Sequence, residues 1–320
     1  MSEVTDQRAQ SPTANTEGLA KLSGLRSQKS RSLWSDAFRQ YRRHRLAMAS
    51  TIVLAIIILA AVFGYALWGH SYSAFSFADQ YKSPSLAHPM GTDDLGHDQF
   101  ARVLWGGRVS ISVGIVSALV AIIFGTLVGA IAGYFGGFLD SLLMRITDLF
   151  ISLPTLPLLL LVIYLFQDTM RARFGIVLGT FILIVAIIGA LTWMPVSRLV
   201  RGSFLSVKEK EFIESARSVG VSTPSIIFKH ILPNVLSPVI VAATLGVAQA
   251  IITESTLSFL GLGFPPDTPT WGRLLSGAQN FIQISPYMVI FPGAAIFLTV
   301  LSINYIGDGL RDALDPRHMS

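Results

Sequence analysis

Six segments of this sequence are each long and apolar enough to cross a membrane as a helix. They lie near residues 46–69, 109–133, 141–166, 174–195, 233–255 and 287–306. About 20 apolar residues in a helix cross the hydrocarbon of a bilayer. The segments are continuous and do not alternate between polar and apolar residues, which excludes a transmembrane β-barrel. The sequence therefore predicts an all-α, polytopic membrane protein with six transmembrane helices.

Composition supports a membrane protein and excludes several other classes. Charged residues make up 13% of the chain and hydrophobic residues 52%, whereas soluble domains contain about 25% charged residues. No cysteine is present, which excludes disulfides, thiolate metal sites and a cysteine nucleophile. The sequence contains no G-x-x-x-x-G-K-[ST] phosphate loop, no H-E-x-x-H motif and no G-x-S-x-G motif. We therefore expect that this chain is not an enzyme and does not itself hydrolyse ATP.

The distribution of basic residues predicts the orientation in the membrane. With the N-terminus inside, 18 of the 24 Lys and Arg residues fall in inner segments. The others lie in outer loops: Lys82, Arg102, Arg108, Arg171, Arg173 and Arg273. Because cytoplasmic loops are enriched in Lys and Arg, we expect both termini in the cytoplasm. The net charge of +5 is attributed to this bias and not to nucleic-acid binding.

Three regions follow from the order of polar and apolar segments. Residues 1–32 are polar and poor in aromatic residues, so we expect a flexible cytoplasmic tail. Residues 33–45 combine an apolar helical face with several arginines, which is typical of an interfacial amphipathic helix; the other interpretation is the solvated start of the next helix. The apolar face comprises Leu33, Trp34, Ala37, Phe38 and Tyr41. Residues 46–320 are expected to form the transmembrane domain.

Glycines recur at every fourth position from the second apolar segment onward, at Gly125, Gly129, Gly133 and Gly137. Small residues at this spacing allow helix backbones to approach each other closely. The pattern predicts tight helix packing and indicates little about function.

The fourth loop, 196–232, is longer than a connection between two spans requires. Its first half, 205–219, has helical character with three apolar residues on one face: Phe212, Ala216 and Val219. Gly220 follows where a left-handed residue would end the helix, and Ser222 can cap a second helix that leads into the fifth span. The sequence predicts a short rigid knob that can transmit movement from a soluble partner to the membrane helices.

The same loop resembles the signature of binding-protein-dependent importer permeases, which is Glu-Ala-Ala, three residues, Gly, nine residues, Ile-x-Leu-Pro. The corresponding residues are Glu214, Ser215, Ala216, Gly220, His230, Leu232 and Pro233. This chain departs from the signature at Ser215 and His230. Serine is small, so close packing should be preserved, and His230 should matter little to the turn.

Three further blocks resemble the dipeptide, oligopeptide and nickel permease subfamily, with the C-type oligopeptide and dipeptide permeases as the best match. The first is the outer-loop sequence HPMGTD at 88–93 followed by GHD at 96–98. The second is ESTLSFLGLG at 254–263 with Trp271 and Gly272, and the third is GDGLRDALDP at 307–316. The resemblance covers the chain from Leu33 onward.

This resemblance implies the type I fold of ABC importer permeases in a bacterial inner membrane. It implies a heterodimer with a homologous permease, two ABC ATPase subunits, an extracytoplasmic solute-binding protein and a peptide substrate. The 205–230 loop would couple to the ATPases, which bind ATP and Mg²⁺, and this chain would hold no cofactor of its own. The mechanism implied is alternating access driven by ATP.

Four residues in the outer loops and at their borders are candidates for an outer gate or a contact with the binding protein: Asp93, Asp98, Glu254 and Trp271. Aspartates beside glycine more often serve turns and caps. Glu254 is a functional candidate because it is ionisable and lies near the end of a span; the other interpretation is that it reaches the headgroups without a specific role. No two histidines show i, i+4 spacing with an acidic partner, so we expect no metal site.

Three other functions remain as alternatives. A nickel or metal-chelate importer would use a similar permease, and we order the substrates as oligopeptide, dipeptide and metal complex. A stand-alone secondary transporter would need charges at the membrane midplane or paired discontinuous helices, and a scaffold that anchors a soluble enzyme would not need six spans.

Overall fold

The computed structural model describes residues 33–314, and the regular elements in this range are helices. Their bounds are α1 Leu33–Arg43, α2 Arg45–Trp68, α3 Gln99–Phe135, α4 Gly137–Ser152, α5 Thr155–Phe174, α6 Ile176–Thr192, α7 Met194–Lys208, α8 Glu211–Ser218, α9 Thr223–Phe259, α10 Trp271–Ala278 and α11 Tyr287–Leu314. An isolated bridge joins Thr92 and Asp98. The all-α prediction is confirmed, whereas the tail predicted at 1–32 lies outside the described residues.

Five helices are long and apolar enough to cross a membrane, namely α2, α3, α5, α9 and α11. Helices α6 and α7 meet at a bend of 44° and provide a sixth span if they are counted together. The predicted number of spans is reached with that broken helix. The fourth apolar segment therefore ends in a bend near Trp193, and its helix continues as α7.

The bounds predicted for the third span, 141–166, are wrong. Helix α4 ends at Ser152, Leu153 is extended, and the spanning helix α5 begins only at Thr155. Pro154 has no N–H to donate to a helix, and a residue before proline avoids the helical conformation. The segment predicted as one span therefore contains a complete break between two helices.

Helix α3 begins ten residues earlier than the predicted start at residue 109. The side chain of Asp98 accepts a hydrogen bond of 2.7 Å from the Ala101 N–H and caps the helix. Satisfying a free N–H in the first turn stabilises a helix start. The outer loop between α2 and α3 is correspondingly shorter than expected.

The glycines of α3 allow it to lie directly against α7. A Cβ atom added to Gly129 would come within 2.4 Å of the Ser197 carbonyl oxygen, and one on Gly133 within 2.7 Å of the Phe204 Cβ. The expected close approach is confirmed for this part of the pattern. Gly137 does not take part, because it lies beyond the end of α3 with φ +58° and has no atom within 4 Å of an added Cβ.

Helix α1 packs against the start of α2 and the end of α11. The Tyr41 hydroxyl lies 2.5 Å from the Thr51 hydroxyl, and Ala37 is buried. Phe38, on the predicted apolar face, is instead 62% exposed. That exposure leaves an apolar ring free for lipid, and the interfacial position of α1 stays a prediction.

Candidate functional site

The predicted knob is formed by the end of α7, helix α8 and the start of α9. Ile213 of α8 is fully buried and belongs to a cluster with Phe204 of α7 and Ile231 of α9. Half-buried Ile122 and Tyr134 of α3 pack against the same cluster. Because a buried cluster behaves as a close-packed solid, the knob is rigidly joined to three helices of the bundle.

The turn after α8 is a Schellman motif built on Gly220. Its N–H donates to the Arg217 carbonyl at 2.9 Å, and the Val221 N–H donates to the Ala216 carbonyl at 3.1 Å. Gly220 has φ +78°, a conformation that glycine adopts without steric cost. The predicted helix end is therefore confirmed, but the helix predicted over 205–219 is broken between Lys208 and Glu211. Ser222 makes no side-chain capping bond to α9.

Three large apolar side chains of the knob are exposed: Phe212 at 43%, Val219 at 79% and Phe228 at 64%. Phe212 and Val219 belong to the predicted apolar face, so that face points away from the core, and Ile213 beside it is the buried anchor. Several exposed apolar groups on one small projection are typical of an interaction site, and docking of a partner here stays a prediction.

The other signature residues lie around this exposed face. Glu214, Ser215 and Pro233 are exposed, and Ala216, His230 and Leu232 are half-buried. The His230 backbone carbonyl accepts a hydrogen bond of 2.7 Å from the Asn234 side chain, which supports the first part of α9. The expectation that the His230 side chain matters little to the turn stays a prediction.

At the opposite end of the bundle, Asp93 and Asp98 organise the loop before α3. The Asp93 carboxylate accepts hydrogen bonds from the backbone N–H groups of Leu95 and His97 and pairs with Arg102. Burial favours the neutral carboxyl, but the hydrogen bond from the His97 side chain and the charge of Arg102 outweigh it, so the pKa of Asp93 lies below its usual range. Both aspartates serve turn and cap roles.

Glu254 and Trp271 lie in one buried network that joins α3, α9 and α10. The Glu254 carboxylate accepts hydrogen bonds from the hydroxyls of Ser110 at 3.0 Å and Ser258 at 2.7 Å. The Trp271 backbone N–H donates to the Ser110 hydroxyl at 3.2 Å, and its indole N–H donates to the Val103 carbonyl at 3.0 Å. Glu254 is fully buried within this network.

In this conformation the four outer candidates are enclosed by the protein, and their contact with the binding protein stays a prediction. Asp93, Asp98, Glu254 and Trp271 are each at most 4% exposed. Their side chains hold the outer loops in place and are almost inaccessible to solvent. A role at an outer gate stays a prediction, since a gate can be made of buried contacts.

A cavity of about 830 Å³ opens between the two ends and is bounded by α3, α4, α5, α6, α7, α9 and α11. Among the described residues that line it, none is charged. Gln249, Thr253 and Thr256 form a polar stripe along α9, and Asn304 of α11 adds a second amide. Sequence reasoning missed these residues, although their i, i+4, i+7 spacing in an apolar helix was a usable signal.

Two family models match the chain. One, described as "binding-protein-dependent transport system inner membrane component", matches residues 125–319. The other, the "N-terminal TM domain of oligopeptide transport permease C", matches residues 32–87. The two matches leave out residues 88–124, which comprise the end of the outer loop and most of α3.

Several relatives are similar over nearly their whole length. The dipeptide transport system permease protein DppC of Alkalihalophilus pseudofirmus is 41% identical over 90% of this chain and 91% of its own. The oligopeptide permease OppC of Escherichia coli is 41% identical over 95% and 97%. The glutathione permease GsiD of Pectobacterium atrosepticum is 39% identical over 93% and 96%.

Among solved structures, a chain of the methionine ABC transporter MetNI aligns with a TM-score of 0.52 and 18% identity. The alignment covers 68% of this chain and 96% of that chain. At this identity, the likeness establishes the fold alone.

Proposed function

Because the chain belongs to the family of binding-protein-dependent transport system inner membrane components, we propose that it is the membrane subunit of an ATP-driven peptide importer. A permease of this family resides in a bacterial inner membrane and is not an enzyme. The proposal of a peptide substrate rests on the agreement among relatives at about 40% identity, which are named for dipeptide, oligopeptide and glutathione transport.

The proposal includes the partners that such an importer needs. A homologous permease would complete the passage, two ABC ATPases would bind ATP and Mg²⁺, and an extracytoplasmic binding protein would deliver the peptide. Both termini would lie in the cytoplasm, as would the knob. The exposed apolar side chains Phe212, Val219 and Phe228 support this arrangement, since a docked ATPase would cover them.

In this proposal, ATP binding closes the ATPase pair and the knob relays that movement. The buried cluster around Ile213 joins α8 to α3, α7 and α9, and these three helices also border the cavity. A displacement of α8 would therefore act on the cavity wall without passing through a flexible linker. Hydrolysis would then return the helices to the starting arrangement.

The cavity would be this subunit's part of the peptide passage. The side-chain amides of Gln249 and Asn304 can donate to and accept from the peptide bonds of any substrate. Charged side chains are absent from the described lining. Positively and negatively charged peptides would therefore be neither strongly attracted nor repelled by the cavity wall. Such a wall suits a carrier whose selection is made by a separate binding protein.

The test is purification of the intact chain in mild detergent through a tag, followed by identification of the proteins that accompany it. We expect a second permease and two ATPase subunits, and peptide uptake that requires ATP and the binding protein after reconstitution. A chain that purifies alone, with uptake driven by an ion gradient and no ATP, would contradict the proposal. Uptake of a nickel chelate in place of peptide would contradict only the proposed peptide substrate and would leave the importer function standing.

A further inference from the structure

Two histidines and an aspartate meet at the end of the bundle opposite the knob. We propose that His70, His88 and Asp98 form a binding site for a divalent transition-metal ion of the Zn²⁺ class. One ligand atom from each of the three residues lies within 4.8 Å of the others. The site touches neither the knob nor the cavity, so it does not depend on the proposed transport function.

The three residues are close in space although they are far apart in the chain. The His88 Nδ1 atom lies 2.7 Å from the Asp98 Oδ2 atom. The imidazole rings of His70 and His88 are 5.5 Å apart between centroids and inclined at 59°. Nitrogen and oxygen ligands hold Zn²⁺ at about 2 Å, so an ion placed among these three donor atoms requires them to lie within a few ångström of one another, as they do.

The surrounding contacts fix two of the three ligands before any metal binds. Asp98 is 4% exposed, and its Oδ1 atom accepts hydrogen bonds from the Ala101 N–H at 2.7 Å and the Trp68 indole at 3.2 Å. The Oδ2 atom is thereby directed at His88. The His88 backbone is itself held, because its N–H donates to the Ser85 hydroxyl at 3.2 Å.

His70 reaches the cluster through a tight turn at the end of α2. Gly69 adopts φ +80° and ends the helix, which brings His70 back alongside Trp68, with their rings 5.6 Å apart. His70 is exposed, so an ion can reach the site from solvent and complete its coordination with water.

The chemistry of the donors determines the class of ion. Imidazole nitrogens favour Zn²⁺, Cu²⁺ and Ni²⁺, whereas Mg²⁺ and Ca²⁺ prefer sites made of oxygen atoms. Asp98 can serve in either of two ways: its Oδ2 atom can bind the ion directly, or it can hold the Nδ1–H of His88 while Nε2 binds the ion, as carboxylates beside ligating histidines commonly do. Both arrangements use the same three residues.

A bound ion would connect the end of α2 to the start of α3. His70 follows α2 directly, and Asp98 caps α3. The ion would therefore close the outer loop between these helices at its base and hold the first two membrane helices together. An ion that binds only the folded state raises the apparent stability as its concentration rises.

The test uses the full-length chain in its complex, purified through a tag without histidine and stripped of metal. Equilibrium dialysis against Zn²⁺ should give one ion per chain. His70→Ala and His88→Ala should each weaken binding at least tenfold. Asp98→Asn should do the same because it removes the negative charge, and the helix should still form because asparagine also caps a helix start. His230→Ala, which removes a histidine at the other end, is the matched control and should leave the affinity unchanged.

X-ray absorption at the zinc edge supplies a second readout, and it should show two imidazole nitrogens in the wild-type chain and fewer in the His70→Ala variant. The exposed position of His70 makes misfolding of this variant a minor concern. No bound Zn²⁺, an unchanged affinity in His70→Ala, or an equal loss in His230→Ala would each overturn the proposal.

Discussion

The Nζ atom of Lys208, the last residue of α7, donates a hydrogen bond of 2.6 Å to the backbone carbonyl oxygen of Tyr134 near the end of α3. The side chain of Arg217 in α8 also lies over the Tyr134 ring, 5.9 Å from its centroid. A cation over an aromatic face is attracted to it. The knob is thus held to the long helix α3 by polar contacts in addition to the apolar cluster.

Neighbouring residues of α8 should separate folding from docking. Ile213→Ala empties a fully buried position and should lower the stability of the complex by about 2–5 kcal/mol. Phe212→Ala removes an exposed ring and should leave the stability unchanged while it weakens ATPase association. Thermal unfolding and co-purification of the ATPases measure the two effects. Normal ATPase association in Phe212→Ala would contradict a docking role for that side chain.

The contact between α3 and α7 should tolerate no side chain at Gly129. Gly129→Ala places a Cβ within 2.4 Å of a backbone carbonyl, and such overpacking costs about 1–3 kcal/mol. Gly202→Ala is the control, because an added Cβ there meets no atom within 4 Å. We expect a lower unfolding temperature for the first variant and an unchanged or higher one for the second. Equal unfolding temperatures would show that the helices can separate without penalty.

Removal of the Glu254 carboxylate should loosen the outer loops. Glu254→Leu leaves the Ser110 and Ser258 hydroxyls without their acceptor, at a cost of about 1–3 kcal/mol for each. Glu254→Gln retains an acceptor oxygen at the same place and should be much milder. Limited proteolysis between α9 and α11 measures the difference, with faster cleavage expected for the leucine variant only. Identical protection in both variants would mean that the network does not hold α10.

The outer loop should lose stability in acid because of Asp93. Its folded-state pKa lies below the unfolded value, which is about 3.9. The ionised carboxylate therefore stabilises the loop fully above that value, and this contribution is lost as the pH falls through the folded-state pKa. Hydrogen exchange of the backbone N–H groups of Leu95 and His97 should accelerate below about pH 4. In Asp93→Asn the acceleration should be absent, and its persistence would assign the effect to another group.

The sequence predicted the elements whose cause is local. Continuous apolar segments predicted the spanning helices, and the position of Gly220 after a helical pattern predicted the end of α8. The same local reasoning failed at Pro154, where the apolar segment continues across a break in the backbone. Hydropathy describes how apolar the side chains are and is insensitive to the missing backbone N–H of proline. The apolar pattern therefore predicted one span where the structure has two helices.

The parts that were missed depend on distant segments of the chain. The side chain of Ser110 meets Glu254 and the Trp271 N–H only after α3, α9 and α10 have packed together. His70, His88 and Asp98 likewise come from a helix end, a loop and a helix cap. A search for helical i, i+4 spacing finds ligands that share one helix, and it cannot find ligands that the fold assembles.

The most direct test of the account compares two glycines with the same backbone conformation. Gly220 in the knob has φ +78° and Gly261 just after α9 has φ +83°, and neither has an atom within 4 Å of an added Cβ. Both end a helix in a Schellman motif, since the N–H groups of Gly261 and Leu262 donate to the carbonyls three and five residues earlier, as those of Gly220 and Val221 do. Valine at either place introduces a similar backbone strain, but only Gly220→Val alters the knob.

The measurement is ATP-dependent peptide uptake by the reconstituted complex, together with the ATP hydrolysed per peptide. We expect Gly220→Val to be inserted and assembled but to take up little peptide, whereas Gly261→Val should transport at nearly the wild-type rate. Equal uptake by the two variants would contradict the claim that the knob relays ATPase movement to the membrane helices.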